Sequence, residues 1–302
     1  MVFALALLAA AANAFATVLE RVGLEQATPT HSSMRAVMVG VLHRPIWYAG
    51  LALTTASFLL QALALANGNL STVQPIMVSE IVFLLAILGI WFHNPLGWRE
   101  WLGAGGTAAG LGGFLALSSS TGGNARPSRD DWGLLIIACV GAVLLSTFAG
   151  RRGPRAWRAA CYGVGAAVSF ALTAAFIKTV ADQWPKGIGF VFTHVEAYGV
   201  AAAGLAGLVL SQHALNAGPV AASQTALLIV NPLSSIVMGI WLFDDHLQTR
   251  GGREVFEALA LAVMFLALFV LSTSPLIAQN EAHERLSTPL RGLEQAPAGG
   301  RA

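Results

Sequence analysis

The sequence predicts an all-α polytopic membrane protein with about nine transmembrane helices built from an inverted-topology repeat. Three observations lead to this prediction: the composition, the recurrence of long apolar runs, and an internal self-match at a fixed offset. Of the 302 residues, 56% are hydrophobic and 11% are charged, whereas soluble domains carry about 25% charged residues. The apolar runs are each long enough to cross about 30 Å of hydrocarbon.

Nine apolar segments can be placed along the chain. They cover residues 2–19, 46–66, 70–92, 99–118, 132–149, 157–180, 190–215, 219–243 and 254–274. Two connections, Asn67-Gly68-Asn69 and Asn216-Ala217-Gly218-Pro219, have the composition of tight turns between antiparallel helices. No Lys or Arg precedes the first segment, which favours a retained helix over a cleaved signal peptide. Residues 276–302 are polar and predict a disordered tail.

The self-match pairs residues 48–91 with residues 198–241, without a gap and at an offset of 150 positions. The most informative pairs are Tyr48 with Tyr198, Gln74 with Gln224, and Gly89-Ile90-Trp91 with Gly239-Ile240-Trp241. Four residues inserted in the later loop extend the match to Ser120 and Ser274. Spans two to four then correspond to spans seven to nine. Because equivalent spans are five crossings apart, they run in opposite directions, as in the inverted repeats of secondary transporters.

The repeat divides the chain into a first transmembrane half at 1–149, a second half at 150–275, and the tail at 276–302. Eleven Lys and Arg residues fall on one side of the predicted membrane and six on the other. The positive-inside rule places the eleven in the cytoplasm, with the cluster Arg151–Arg158 as the strongest anchor. The N-terminus is then outside, the tail is cytoplasmic, and the predicted location is the cytoplasmic membrane.

Several functions are disfavoured by the sequence. A net charge of +2 gives no reason to expect nucleic acid as a partner. The two cysteines, Cys139 and Cys161, lie in apolar segments and are predicted to be small buried hydrophobes. Neither a phosphate-binding loop nor a GxSxG or CxxC pattern occurs, so the sequence predicts no enzyme activity and no cofactor.

Glu80 is the first candidate site residue, because it lies near the middle of the third span. An acidic side chain at that depth costs about 2.5–3.5 kcal/mol on insertion scales. The cost predicts a substrate, ion or proton site, in which Glu80 is the ligand if a cation is carried. The alternative is a protonated Glu that only holds neighbouring helices together.

Further candidates for substrate or ion binding lie on spans three, seven and eight. They are Gln74, Gln224, Asn231, Ser235 and Glu196. Those on span eight are spaced by seven and four residues, so they share one helix face. Pro75 and Pro232 should loosen the helical hydrogen bonds beside them, which suits a lined cavity and suits tight packing equally. Asn13 is expected to be a helix–helix contact, and Lys178 is expected to extend to the membrane surface.

Together these segments resemble the EamA-like part of the drug/metabolite transporter superfamily. The resemblance rests on Leu60–Leu65 with Val73-Gln74-Pro75, and on Gln212–Leu215 with Asn231-Pro232 in the second copy. Nine spans and the Gly23-Leu24 end of the first helix are similar to NIPA-type magnesium transporters. EamA-type exporters usually have ten spans, and this chain lacks the tenth.

The resemblance implies a secondary transporter that moves a small metabolite, drug or cation by alternating access, with Mg²⁺ as the alternative substrate. The expected partners are a small molecule or ion and the lipid bilayer, and a homodimer is compatible with the sequence. A membrane scaffold without transport activity is the alternative from another class.

Overall fold

The computed structural model describes residues 1–27, 44–90, 97–117, 127–245 and 253–272. Eleven α-helices occupy most of these ranges, and no strand occurs in them. The helices are α1 (Val2–Ala27), α2 (Pro45–Asn67), α3 (Leu70–Met77), α4 (Glu80–Ile90), α5 (Trp98–Leu117), α6 (Arg129–Ala149), α7 (Arg155–Gln183), α8 (Ile188–Phe192), α9 (Val195–Ala217), α10 (Val220–Phe243) and α11 (Arg253–Ser272). The predicted tail, Trp91, Ser120 and Ser274 lie outside the described residues.

Seven helical segments in the described ranges are long and apolar enough to cross a membrane. They are Val2–Glu20, Pro45–Asn67, Leu70–Ile87, Asp130–Ala149, Arg155–Lys186, Val195–Ala217 and Ala221–Phe243. They coincide with predicted spans one to three and five to eight, and an all-α membrane protein is therefore confirmed. The other two predicted spans are also helices, α5 and the shorter apolar stretch Val255–Leu271 of α11. The number of crossings therefore depends on these two helices.

Helix α7 is the most buried of the long helices and lies at the centre of the bundle. It packs against α9, α10, α6 and α2. Small residues make this possible: a Cβ on Gly163 would lie 2.7 Å from the Ser223 carbonyl oxygen of α10. By contrast, α6 exposes most of its apolar side chains, which in a bilayer are solvated by lipid. Cys161 on α7 and Cys139 on α6 are free and buried, as predicted.

The third predicted span is interrupted at Val78-Ser79, between α3 and α4. Pro75 lacks the N–H that would continue the helical ladder. The chain then tightens into i→i+3 bonds, from Val78 N to the Pro75 oxygen at 3.2 Å and from Ser79 N to the Ile76 oxygen at 2.9 Å. In the second half, α10 continues through Pro232 without a break. The two prolines therefore have different effects on their helices.

Helices α5 and α11 pack closely on each other, through the glycine-rich face of α5. A Cβ on Gly110 would lie 2.6 Å from the Met264 backbone nitrogen and 2.7 Å from the Ala260 carbonyl oxygen. Nothing lies within 4 Å of a Cβ on Gly112, which is on the exposed side of the same helix. Gly103, Gly106 and Gly110, which face α11, thus allow the close approach of the two helices.

We expect Gly110→Ala to lower the thermal unfolding midpoint of the purified protein, whereas Gly112→Ala leaves it unchanged or slightly raised, because Ala favours a helix over Gly. The added methyl group of Gly110→Ala meets backbone atoms that cannot rotate away, and overpacking of this kind costs about 1–3 kcal/mol. Intrinsic fluorescence during heating in one detergent measures both variants. Equal midpoints for the two variants would contradict the close α5–α11 contact.

Candidate functional site

A cavity of about 360 Å³ lies between α1, α2, the α3–α4 segment, α7 and α10. Small-molecule sites in proteins occupy about 300–1,000 Å³. The polar part of the wall comprises Asn13, Gln61, Gln74, Glu80, Thr173 and Asn231. The apolar part comprises Phe58, Met77, Val78, Phe170, Ala174, Ile177, Leu227, Leu228 and Pro232. The wall thus combines a hydrophobic lining with a few polar groups that can orient a ligand.

Glu80, Gln74 and Asn231, all candidates from the sequence, lie in this wall. The other three candidates are not among its described residues. Ser235 is fully buried in helix packing, and Gln224 lies about two turns before Asn231 on α10. Glu196 lies in the first turn of α9, a helix that contributes nothing to the described wall.

Glu80 is placed at the helix break as the first residue of α4. The backbone N–H groups that follow it are bonded across the break, from Ile81 to the Val78 oxygen at 3.2 Å and from Val82 to the Ser79 oxygen at 2.9 Å. The Asn13 side chain of α1 forms a hydrogen bond with Glu80 across the helices. Asn13 is therefore the helix–helix contact expected from the sequence, and it is also part of the cavity wall. The sequence did not predict that Asn13 lines the cavity. Asn13 and Glu80 lie at similar depths in their predicted spans, and this similarity could have indicated that they meet.

Two amide groups of the wall have unused hydrogen-bonding capacity. Gln74 is 4% exposed, and its Nε2 has no partner among the described residues. The Oδ1 of Asn231, on the helix from the other half, likewise has no partner in the described part of the chain. Burying an amide without a partner costs free energy. A polar solute in the cavity can accept from Gln74 and donate to Asn231.

Glu80 is the one ionisable side chain among the described wall residues. Across all described ranges, no group of three or more His, Cys, Asp or Glu side chains is positioned to hold a metal ion. The arrangement therefore offers one carboxylate with neutral amides around it. Such a set suits an ion, a proton or a polar group of an organic solute.

Lys178 of α7 is buried inside the protein, so the expectation that its side chain extends to the surface is wrong. It is 3% exposed, and its Nζ donates to the carbonyl oxygens of Leu65 at 3.2 Å and Gly68 at 2.9 Å. These carbonyls are among those at the end of α2 that have no partner within the helix. Lys178 satisfies them, and the Phe243 ring centroid lies 5.4 Å from its Nζ.

Asp245 is a second buried charge beside Lys178, and sequence reasoning missed it. Asp244 adopts a left-handed φ of 54°, which turns the chain back so that Asp245 N donates to the Gly239 oxygen at 3.0 Å. The Asp245 Oδ2 accepts from the backbone N of Ser71 at 3.0 Å and from its Oγ at 2.9 Å. Asp245 is 2% exposed and thereby caps the first turn of α3 from the opposite half.

Burial raises the pKa of the Asp245 carboxyl, and the Ser71 hydrogen bonds and the Lys178 charge offset only part of this effect. A raised pKa means that folding favours the protonated acid. Its stabilisation is therefore present below the ordinary carboxyl pKa of about 3.9 and is lost as pH rises through the raised value. We expect Asp245→Asn, which resembles the protonated acid, to raise the thermal midpoint at pH 7–8 by a few degrees.

Melting curves of wild type and Asp245→Asn between pH 4 and pH 8 test this expectation. The difference in midpoint should shrink as the pH falls, because the wild-type carboxyl then becomes neutral as well. Asp130→Asn, on an exposed acid at the start of α6, is the control. A variant less stable than wild type at pH 8 would show that the charged form of Asp245 is the favoured one.

No family model matches the chain, and no solved structure matches it. The chain is similar to a protein of Corynebacterium glutamicum that is described only as uncharacterized. The two are 26% identical over 251 residues, which cover 81% of this chain and 86% of the relative. The similarity therefore extends over most of both chains and carries no named activity.

Proposed function

We propose that the chain is a secondary transporter of the drug/metabolite transporter type that moves a small solute across the cytoplasmic membrane by alternating access. The observation that carries the proposal is the cavity, whose wall is built from helices of both predicted halves beside an interrupted helix. Discontinuous helices at the midplane are typical of transporter binding sites, because freed backbone groups are tolerated where they line a cavity. Glu80 lies at the interruption.

The nine-span inverted repeat is part of this proposal, and the helix packing supports it. Helix α1 packs on α2 as α7 packs on α9, while α3 packs against its counterpart α10 and α5 against its counterpart α11. The two short turns are also alike. A Cβ on Gly68 would collide with Val2, and one on Gly218 would collide with the Arg155 carbonyl. Each turn thus abuts the start of the first helix of its own half.

In the proposed mechanism the solute binds between Gln74 of the first half and Asn231 of the second. A small rotation of the halves then exposes the cavity to one membrane face or the other. Glu80 binds either a proton or a cationic group, because a carboxylate at this depth requires a compensating positive charge. Because a proton and a cationic solute compete for Glu80, movement of the solute in one direction is coupled to movement of a proton in the other.

A ligand screen on the purified protein tests the proposal. Thermal midpoints are measured with divalent cations including Mg²⁺, with amino acids and with hydrophobic cations. We expect one chemical class to raise the midpoint in a saturable manner, because a ligand that binds only the folded state stabilises it. The absence of any stabilisation, or equal stabilisation by all three classes, would contradict a selective solute site.

A further inference from the structure

The cavity ends in a buried charged cluster that joins the two halves. We define this end cluster as Ser71, Lys178 and Asp245. Lys178 directly follows the wall residue Ile177 on α7, and Ser71 lies three residues before the wall residue Gln74 on α3. Three residues rise about 4.5 Å along a helix. The end cluster therefore adjoins the cavity, within about one helical turn of its wall, at the end where the α2–α3 turn lies.

The side-chain hydrogen bonds of Lys178 and Asp245 described above all cross from one predicted half to the other. Lys178 of the second half donates to the carbonyls of Leu65 and Gly68 in the first half. Asp245 of the second half accepts from the backbone and hydroxyl of Ser71 in the first. A movement that separates the halves at this end must therefore break all of these bonds together.

The chemistry of the end cluster suits a contact that opens and closes. Charges buried in protein lose hydration, and this loss offsets much of their mutual attraction. Beyond the Ser71 bonds, the Asp245 carboxyl has only a weaker hydrogen-bonding interaction with the Leu70 backbone N–H among the described residues, so the cluster is incompletely satisfied. On opening, water would replace the lost bonds and rehydrate both charges. The closed and open forms are then close in free energy, as a conformational equilibrium requires.

We propose that the end cluster is the closure of the cavity at the α2–α3 turn, and that it must part for solute to pass by that membrane face. The proposal rests on the transport function proposed above. It assigns a conformational role to Lys178 and Asp245, neither of which lines the cavity. The close approach of Gly239, whose Cβ would lie 2.9 Å from the Ser71 nitrogen, keeps the closed contact tight.

Thiol labelling tests the closure without any knowledge of the solute. Cys139 and Cys161 are replaced by Ala, and Thr173→Cys supplies one thiol in the cavity wall. A membrane-impermeant maleimide is applied at the membrane face that carries the α2–α3 turn. With the end cluster intact we expect slow labelling. Lys178→Met should raise the rate at least about tenfold, because its closed-state bonds are lost while the open state is unaffected.

Two pairs of variants distinguish a loss of the closure from a general loss of folding. They are Lys178→Met with Lys186→Met, and Asp245→Ala with Asp245→Asn. Lys186→Met removes an exposed Lys beyond the end of α7 and should leave the labelling rate unchanged. Asp245→Ala removes the acceptor for Ser71 and should increase labelling, whereas Asp245→Asn retains an oxygen acceptor and should not. If Lys178→Met does not yield monodisperse protein, the Asp245 pair is decisive on its own.

Unchanged labelling in both Lys178→Met and Asp245→Ala would overturn the closure, as would fast labelling from this face with the end cluster intact. Faster labelling in Lys178→Met and Asp245→Ala, but not in Lys186→Met or Asp245→Asn, supports it. The result is independent of solute flux. A protein that shows this labelling pattern but carries no solute would retain the closure and contradict the transport function.

Discussion

Replacement of Glu80 by Gln is expected to reduce solute flux at neutral pH by about 30-fold or more and to remove the pH dependence of the remainder. The change keeps the size of the side chain but removes the only charge in the described wall. Loss of one partner of a buried charged contact costs about 2–5 kcal/mol, and 1.4 kcal/mol corresponds to a factor of ten. The Asn13 hydrogen bond can persist with Gln, so the helix break is retained.

Flux into proteoliposomes with and without a proton gradient measures this effect. Glu196→Gln is the matched control, because Glu196 is an acid on α9 that lies outside the described wall. It should transport as well as wild type. Undiminished flux in Glu80→Gln that still responds to the proton gradient would remove Glu80 from the coupling mechanism. A loss of flux in Glu196→Gln but not in Glu80→Gln would instead place the coupling site at Glu196, the candidate on span seven.

Ala174→Phe is expected to abolish solute binding while the protein still folds. Ala174 lies in the cavity wall on α7 and is 3% exposed, so the ring must enter the space of about 360 Å³ that the solute would occupy. A binding site that is filled by a side chain cannot accept the ligand, even though the polar residues of the wall are unchanged. Some stability is also lost, about 1–3 kcal/mol, where the ring displaces its neighbours.

The matched control is Ala202→Phe, which places the same ring on the exposed face of α9. Size-exclusion chromatography establishes folding, and the thermal shift with the best ligand of the screen reports binding. We expect at least a tenfold loss of apparent affinity in Ala174→Phe and none in Ala202→Phe. Equal binding by both variants would place the solute elsewhere in the protein.

Sequence patterns singled out three polar residues that line the cavity, but not the buried charged cluster at its end. Glu80, Gln74 and Asn231 are polar residues within apolar runs, and this signal is local, so it can be recognised without knowing the packing. Lys178 and Asp245 depend on partners that are 110 and 174 residues away along the chain. A Lys near the end of an apolar helix usually extends to the interface. Only the tertiary packing reveals that the end of α2 covers it.

The positions of the apolar helices were predictable from the sequence, but the interruption of the third span was not. Hydropathy alone located the apolar helices, because a membrane span must satisfy its own backbone and remain apolar over its length. It did not locate the break at Val78-Ser79, since each of the two corresponding spans contains a proline, Pro75 or Pro232, and only Pro75 is followed by an interruption. Helix α5 is rich in Gly and is not among the seven segments that are long and apolar enough to cross a membrane. What the structure shows of it is its close packing against α11, which hydropathy does not reveal.

The most direct test of the transporter assignment is uptake by proteoliposomes of the solute that gives the largest thermal shift. We expect saturable uptake by the wild-type protein, well above that of protein-free liposomes, and loss of this uptake in Ala174→Phe but not in Ala202→Phe. Wild-type uptake no greater than that of protein-free liposomes, despite binding of the same solute, would contradict the transport function.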